Sequence, residues 1–312
     1  MTDDSRQARA ISAMFALGVV WGASFLFIKV AVDETGPTEV AVTRIFFGTL
    51  AIGAYVLFTR RAWPRPSPRF LAQIFVLGLF GNVMPFALIA WGEEHIDSGV
   101  ASVLNATVPI FTAVVAAIAL DEERFTTPRA LGLLLGFVGV AVLAGAESLD
   151  ITDSNVLGQL AVVGAALCYG IAGVMLRVLI HGRDLVNVTL MQLGLSEITA
   201  IVMLLAVTGG SPDFSLSIEA WLCLIALGVF GTGIGYVAFV WMIEVLGSVR
   251  ASLVTYIVPV IGLILGWLVL DESIGLNTVA GFLLIISGVA IVMRGQAPVR
   301  RPAAAARATV GE

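Results

Sequence analysis

The chain has 312 residues, of which 59% are hydrophobic and 12% charged, and its formal net charge is -5. An ordinary soluble domain has roughly 45–50% apolar and about 25% charged residues. Together with a mean hydropathy of +1.00, the composition excludes a soluble globular protein and makes the lipid bilayer the expected solvent. Cys168 and Cys223 both lie in apolar runs, so neither a disulfide framework nor a metal site is indicated.

Ten apolar runs are long enough to be membrane helices, which need about 20 residues each. Helix is the expected state, because backbone groups in lipid must find their hydrogen-bond partners within the segment. The predicted spans are residues 10–32, 38–59, 70–91, 98–120, 128–146, 157–177, 185–207, 220–243, 250–270 and 277–293. Residues 1–9 and 294–312 are predicted to be tails outside the membrane.

The arginines of the loops lie on one side of this arrangement. They follow predicted helices 2, 4, 6, 8 and 10 and precede helix 1, whereas the opposite loops carry acids and neither arginine nor lysine. Because cytoplasmic loops carry the excess of basic residues, both termini are predicted to be cytoplasmic.

The two halves of the chain resemble each other at offsets of 148 to 150 residues. The matched pairs are Trp21 and Tyr169, Arg44 and Gln192, Pro109 and Pro259, and Asp121-Glu122 and Asp271-Glu272. Each half holds five predicted spans, an odd number, so equivalent helices must cross the membrane in opposite directions. The sequence therefore predicts an all-α integral membrane fold of two inverted five-helix repeats, residues 10–146 and 157–293, a construction common among secondary transporters. The alternative is that duplication merely built a stable bundle.

Several short motifs lie in or just after predicted helices 1, 2, 4 and 9. They are Trp21-Gly22-Ala23-Ser24-Phe25, Arg44, Ala101-Ser102-Val103-Leu104-Asn105-Ala106-Thr107-Val108-Pro109, Asp121-Glu122-Glu123-Arg124-Phe125-Thr126, and Ala251 to Pro259 with Asp271-Glu272. With these motifs the chain resembles the EamA-type transporters of the drug/metabolite transporter superfamily over nearly all of residues 10–293. The resemblance implies a ten-helix carrier of the bacterial inner membrane, usually an exporter of amino acids, other small metabolites or drugs, with a central cavity lined by both repeats.

Polar and aromatic residues at depth mark the candidate site. Trp21 and Tyr169 lie away from the headgroup level at which aromatic belts occur. Arg44 lies about six residues into helix 2, roughly 10 Å from the membrane face, and its planar guanidinium suits a carboxylate, although snorkelling could also explain it. The predicted substrate-binding residues are Trp21, Ser24, Arg44, Asn82, Asn105, Tyr169, Gln192, Tyr236 and Thr255.

Pro109 and Pro259 are predicted helix breaks, because proline removes a backbone donor. Matched interruptions in two halves are the best sequence pointer to a transport site. Asn105 and Thr255 precede these prolines by four residues and so share their helix faces. Each of the two side chains either binds solute or satisfies the freed backbone.

Glu197 is the predicted coupling-ion residue. It lies about twelve residues into helix 7, about 18 Å deep at about 1.5 Å per residue, where a carboxylate costs roughly 2.5–3.5 kcal/mol on insertion scales. We expect it to bind a coupling proton or a substrate amine. The alternative is a protonated side chain that bonds to a neighbouring hydroxyl.

The predicted function is secondary active transport of a small solute, with a passive facilitator or channel as the alternative. An integral-membrane enzyme is disfavoured, because His95 and His181 lie on opposite predicted sides and no metal-ligand spacing or phosphate-cradling glycine loop is present. No catalytic residue, cofactor, metal or nucleic acid is expected. The expected partners are the solute and the lipid bilayer, and the unit is a monomer or a homodimer.

Overall fold

The computed structural model describes residues 3–60, 66–120, 126–144, 153–179, 183–246, 251 and 254–294. Over these residues every regular element is helical and no strand occurs. The helices are α1 (Asp3–Val32), α2 (Pro37–Phe58), α3 (Pro68–Glu93), α4 (Ser98–Ala119), α5 (Thr127–Ala144), α6 (Ser154–Leu179), α7 (Leu185–Val207), α8 (218–246), α9 (Val254–Leu270) and α10 (Leu276–Arg294).

Seven of the described helices are long and apolar enough to cross a membrane, namely α1 to α4 and α6 to α8. The apolar stretches of α5, α9 and α10 are shorter, Thr127–Leu143, Val254–Leu270 and Leu276–Val292. The all-helical membrane fold expected from the composition is thus present, and the count of ten spans stays a prediction.

Local sequence explains where several helices begin. Pro37 and Pro68 occupy the first turns of α2 and α3, where a missing backbone N–H costs nothing. The Oγ atoms of Ser67 and Ser217 accept the backbone N–H groups of Phe70 and Ala220, and so cap α3 and α8. These caps are equivalent in the two halves, since the serines lie 150 residues apart.

Helices α3 and α8 each contain a π-helical segment, Leu79–Val83 in α3 and Leu227–Ile234 in α8. Helix was expected at these spans, and hydropathy does not distinguish π from α turns. The two segments again lie about 150 residues apart, and the first contains one glycine and the second three. Because π turns widen the backbone and are frequent at functional sites, they single out the middle of both helices.

Helix α4 is broken, whereas its counterpart α9 is not broken over the residues that the structure describes. The first half of α4, Ser98–Asn105, is separated from the second, Val108–Ala119, by a turn at Ala106 and Thr107. Pro109 lies in the first turn of the second half, where its missing donor is tolerated. Pro259 lies inside α9 without a break there. The matched prolines therefore do not have matched effects, and the prediction of a break at Pro259 was wrong within Val254–Leu270.

The helix contacts follow the repeat. If each helix is replaced by its equivalent in the other half, five helices along the chain, one contacting pair becomes another contacting pair. Helix α1 packs on α9 and α6 packs on the second half of α4; α2 packs on α8 and α7 packs on α3; α3 packs on α6 and α8 packs on α1. The pairs α2 with α7, α4 with α9, and α5 with α10 map onto themselves. The packing of the described helices thus has a two-fold pattern.

Close glycine contacts repeat the same pattern at atomic detail. A Cβ atom at Gly22 would lie 2.5 Å from Cβ of Ile261, and one at Gly170 would lie 3.0 Å from Cβ of Phe111. The glycines are 148 residues apart (170 minus 22) and their partners 150 (261 minus 111). Helices therefore approach each other closely at equivalent points because no side chain keeps them apart.

Candidate functional site

A cavity of about 320 Å³ lies between the two halves of the bundle, near the middle of its height. This volume is at the lower end of the range of roughly 300–1,000 Å³ that is typical of small-molecule pockets. Its polar and large aromatic lining residues include Trp21, Ser24, Arg44, Asn105, Tyr169, Thr189, Gln192, Tyr236 and Thr255. With the lining residues Leu77, Gly81 and Ile89 of α3, the site is built from α1 to α4 and α6 to α9.

The structure brings eight of the nine predicted substrate-binding residues to this one cavity. Thr189 was missed, because the equivalent position of the first half, 148 residues earlier, is Ala41, so the comparison of the two halves gave no sign of it. Asn82 is the predicted residue outside the lining, since its side chain is fully buried behind the cavity wall. Whether the eight residues bind substrate stays a prediction.

Asn82 supports two lining residues from behind. Its Oδ1 accepts a hydrogen bond of 2.6 Å from Gln192 Nε2, and its Nδ2 donates one of 3.3 Å to the hydroxyl of Tyr236. Ser196 Oγ lies 3.5 Å from the same Oδ1. Asn82 thus fixes the orientation of polar groups that face the cavity.

Arg44 lies across the cavity on α2 and is 7% exposed. Its Nε donates to Thr232 Oγ1 at 3.0 Å, and its guanidinium carbon lies 3.8 Å from the centroid of the Phe86 ring. The hydrogen bond and the aromatic face hold the plane of the guanidinium in one orientation. Snorkelling to the membrane surface is therefore wrong for this arginine, because its charged group is anchored in the bundle.

These two polar contacts are equivalent in the two halves. Gln192 lies 148 residues after Arg44, and Thr232 lies 150 residues after Asn82. The contact of Arg44 with Thr232 joins α2 to the π-helical segment of α8. The contact of Gln192 with Asn82 joins α7 to the π-helical segment of α3. The sequence had matched Arg44 with Gln192 and had marked Asn82 as a candidate, but it did not pair these side chains, because the π segments that present Asn82 and Thr232 are not visible in the apolar pattern.

Trp21 closes one side of the cavity. Its Nε1 donates a hydrogen bond of 2.8 Å to the carbonyl of Gly231, in the π-helical segment of α8, and its ring lies 5.3 Å from that of Phe239. The indole N–H is thus satisfied by a backbone carbonyl, and the rings of Trp21 and Phe239 supply an apolar wall.

Glu197 does not belong to the described cavity lining. It is partly buried on α7, and its Oε2 has no hydrogen-bond partner among the described residues. The alternative expectation was a protonated Glu197 bonded to a neighbouring hydroxyl, and no described hydroxyl bonds to this oxygen.

One end of the bundle, which we call the acidic end, is closed by contacts around Glu34, Glu93 and Glu272. Glu272 accepts hydrogen bonds from the backbone N–H groups of Ser98 at 2.7 Å and Gly99 at 2.9 Å, and so caps α4 from the other half of the chain. A carboxylate at a helix N-terminus is stabilised by the helix dipole. The equivalent acidic residues of the first half, Asp121-Glu122, lie outside the described residues.

Lys29 and Glu34 add two further ties at the acidic end. Lys29 Nζ donates to the backbone carbonyl of Glu93 at 2.5 Å, at the end of α3. The Glu34 carboxylate accepts from the backbone N–H and the hydroxyl of Ser217, both at 2.7 Å. The hydrogen bonds from Ser217 lower the pKa of Glu34. Lys29 therefore joins α1 to the end of α3.

The cavity extends toward the opposite end, which we call the arginine end after Arg60 and Arg183. Thr189 lies one turn into α7 and Val240 lies six residues before the end of α8, and both line the cavity. Helix α9 packs on the first half of α4, near the acidic end, while the second half of α4 packs on α6. Side-chain and helix contacts thus hold the acidic end together, and the lining residues Ile28 and Ile89 lie about one turn from that end.

An apolar helical bundle with a partly polar cavity between two similar halves defines a polytopic membrane protein of the solute-transporter class. The family comparison agrees with that class: the EamA-like transporter family matches residues 8–145 and again residues 156–294. The chain belongs to the EamA-like transporter family.

Named relatives are similar along nearly the whole chain. The uncharacterized transporter YoaV of Bacillus subtilis is 27% identical over 90% of this chain and 95% of its own. A probable terminal-alkyne amino-acid exporter of Streptantibioticus cattleyicolor is 27% identical over 95% of this chain and 97% of its own. A crystal structure without a functional description shares the fold, with a TM-score of 0.63 and 20% identity over 92% of this chain and 97% of that one.

Proposed function

We propose that this protein is a secondary active transporter that exports amino acids or other small metabolites by alternating access. The observation that carries the proposal is the cavity between two halves whose packing pairs exchange, with contacts of Glu272 and Lys29 that hold the acidic end together. A binding site near mid-height between similar halves is the usual position in secondary transporters.

Alternating access follows from two inverted five-helix repeats, residues 10–146 and 157–293. The exchange of packing pairs supports this arrangement, since α1 with α9 becomes α6 with α4 under the same operation that maps α5 with α10 onto itself. If the two halves exchanged conformations, the contact of α4 with α9 would shift from the acidic end to the arginine end. The cavity would then open on the opposite side around an unchanged set of residues.

The proposed location is the bacterial inner membrane, with both termini in the cytoplasm. This orientation follows from the loop arginines and places the acidic end outside the cell. The structure would then be the inward-facing state. The functional unit is proposed to be a monomer or a homodimer.

Glu197 is proposed to bind the coupling proton. Its partly buried carboxyl group with an unpartnered oxygen supports this role. The second role considered, a partner for a substrate amine, has no support because the cavity lining does not include this residue. In liposomes, Glu197→Gln should remove the dependence of transport on the pH gradient, and an unchanged dependence would refute the assignment.

Counterflow in proteoliposomes tests the transport proposal. Liposomes are loaded with unlabelled amino acids and metabolites, and uptake of the labelled solute is followed. A carrier gives transient, saturable accumulation of label. The passive channel, the alternative function, gives flux that does not saturate and no accumulation.

Cysteine labelling tests the proposed state of the structure in a Cys168→Ala and Cys223→Ser background. Val240→Cys, in the cavity, should react with a membrane-impermeant maleimide from the cytoplasmic side. Ser98→Cys, fully buried at the acidic end, should be protected at rest and react from outside only during transport. Equal labelling of both positions from one side would contradict alternating access.

A further inference from the structure

Arg44 has donors to spare. Its guanidinium carries five N–H donors in a fixed fork, and Thr232 is the acceptor that the described residues supply, at Nε. No described carboxylate lies within ion-pair distance of it. The side chain is 93% buried (7% exposed) and lines the cavity, so its terminal N–H groups and its positive charge are available to an occupant.

The described lining contains no acidic residue that could balance this charge. Its polar members are hydroxyls and amides, and Arg44 is its single ionised residue. Its remaining surface is apolar, with aromatic rings from Trp21, Phe25 and Phe239. The buried Glu93 lies outside the lining and attracts the guanidinium only from a distance. A buried charge without a counter-charge in contact is costly, and an occupant of charge -1 with an apolar body would compensate it.

Asn105 supplies an acceptor in the same cavity. It ends the first half of α4, and its Oδ1 is buried without a hydrogen-bond partner. A buried acceptor left unpaired has lost its hydration without recompense, so it favours an occupant with an N–H or O–H donor. The donor need not be charged, because the acceptor is a neutral amide.

From these two groups we propose that the cavity selects small monoanions, carboxylates with a neutral hydrogen-bond donor and an apolar or aromatic body, over zwitterions and amines. The carboxylate pairs with Arg44, and the donor, a hydroxyl or amide N–H, pairs with Asn105. A zwitterionic amino acid brings an ammonium group for which the described lining offers no carboxylate, and an amine brings its charge against Arg44. The proposal rests on the transport function and narrows its substrates: among amino acids and other small metabolites, it favours monoanionic metabolites over zwitterionic amino acids.

Three ligands with the same ring and different charges test the preference. They are 3-phenyllactate, L-phenylalanine and 2-phenylethylamine, which carry charges of -1, 0 and +1 at neutral pH. Binding to the full-length protein in lipid nanodiscs is measured by calorimetry. We expect 3-phenyllactate to bind at least about 10-fold more tightly than phenylalanine, because a charge-assisted pair is formed without an unpaired ammonium. The amine should not compete.

Variants assign the two contacts. Arg44→Gln should weaken 3-phenyllactate at least about 10-fold, and Arg44→Lys should keep part of the affinity because it keeps the charge but not the fork. The Asn105 contact is isolated by comparison with 3-phenylpropanoate, which lacks the hydroxyl. Wild type should prefer 3-phenyllactate, and Asn105→Ala should bind both equally, as a double-mutant cycle requires for a direct contact. Cys223→Ser, outside the described lining, is the control for folding.

Phenylalanine or phenylethylamine that binds as tightly as 3-phenyllactate would overturn the preference, and so would unchanged binding in Arg44→Gln. If none of the three ligands binds, the substrate class is refuted. The transport proposal is judged separately, by counterflow with other solutes, so that the two failures are distinguishable.

Discussion

The contact of Arg44 with Thr232 and the contact of Gln192 with Asn82 occupy equivalent places in the two halves, yet one is charged and the other neutral. Both join the second helix of a half to a π-helical segment of the other half. The geometry has been kept while the chemistry has diverged. A two-fold scaffold can thus hold an asymmetric solute, since one pole of the cavity is positive and the other is not.

The largest loss of stability should come from removing Asn82, the partner of Gln192 in the neutral contact. Asn82→Leu leaves Gln192 and the Tyr236 hydroxyl without their buried partner, and each lost partner costs roughly 1–3 kcal/mol. The matched change Thr232→Val removes the bond from Arg44 and a long bond of 3.5 Å to the Leu227 carbonyl. It should lower the thermal midpoint less, because Arg44 lines the cavity and can turn its N–H groups to water there. Thermal unfolding in detergent compares the two variants, and a smaller shift for Asn82→Leu would show that this contact is not structural.

The next largest loss of stability should come from substituting Gly228 and Gly78, the glycines next to the two contacts. A Cβ at Gly228 would lie 2.5 Å from Phe47 Cβ and 2.9 Å from the Arg44 carbonyl, whereas one at Gly78 would lie 2.5 Å from the movable Ser196 Oγ. Gly228→Ala should therefore destabilise by about 1–3 kcal/mol, and Gly78→Ala by less.

The control for this pair is Gly194→Ala, because no atom lies within 4 Å of the added Cβ. Ser196→Ala should relieve Gly78→Ala in the double variant. If Gly78→Ala proves the more damaging change, and Ser196→Ala does not relieve it, the packing asymmetry between the halves is refuted.

A smaller effect is expected from Glu272→Gln. Glutamine retains one acceptor for the N–H groups of Ser98 and Gly99 but loses the charge, which is worth about 0.3–1 kcal/mol at a helix N-terminus. The acidic end should open more readily, and Ser98→Cys in the labelling assay should react faster from outside. Unchanged labelling would mean that Glu272 does not hold this end closed.

The smallest effect concerns the start of α8, where Glu34 accepts two hydrogen bonds from Ser217. Because these bonds lower the pKa of Glu34 below its ordinary value of 4.5, their contribution is present above that pH and is lost as the pH falls through the lowered value. Wild type should exceed Glu34→Gln in thermal midpoint at pH 7, and the difference should disappear on acidification below pH 4.5. A difference that grows in acid would contradict the assignment.

The sequence was sufficient for the membrane class, most of the helices and most of the cavity lining. Trp21, Arg44, Tyr169 and Gln192 were found because polar and aromatic groups are costly in lipid and the two halves could be compared. The π-helical segments could not be found, because they depend on backbone hydrogen bonds that hydropathy does not report.

The break in α4 illustrates a second limit. Pro109 and Pro259 have the same local sequence consequence, the loss of one backbone donor, but only α4 breaks among the described residues. Neighbours differ, since the second half of α4 packs on α6 and α10, and tertiary contacts decide which helix bends. Asn82 was predicted to face the solute because it is a polar side chain at mid-membrane. In the structure the same polar side chain is buried outside the lining, where it bonds to Gln192 and Tyr236.

The glycine seam between α5 and α10 has a consequence for biosynthesis. Gly132 meets the carbonyl of Gly288 and Gly139 meets that of Gly281, so the main partner of α5 is α10, which is synthesised well after it. The partner of α1, helix α9, is also synthesised in the second half. Insertion of the first half therefore leaves two glycine faces uncovered in the bilayer until α9 and α10 have been made, and packing of these faces waits for those two helices.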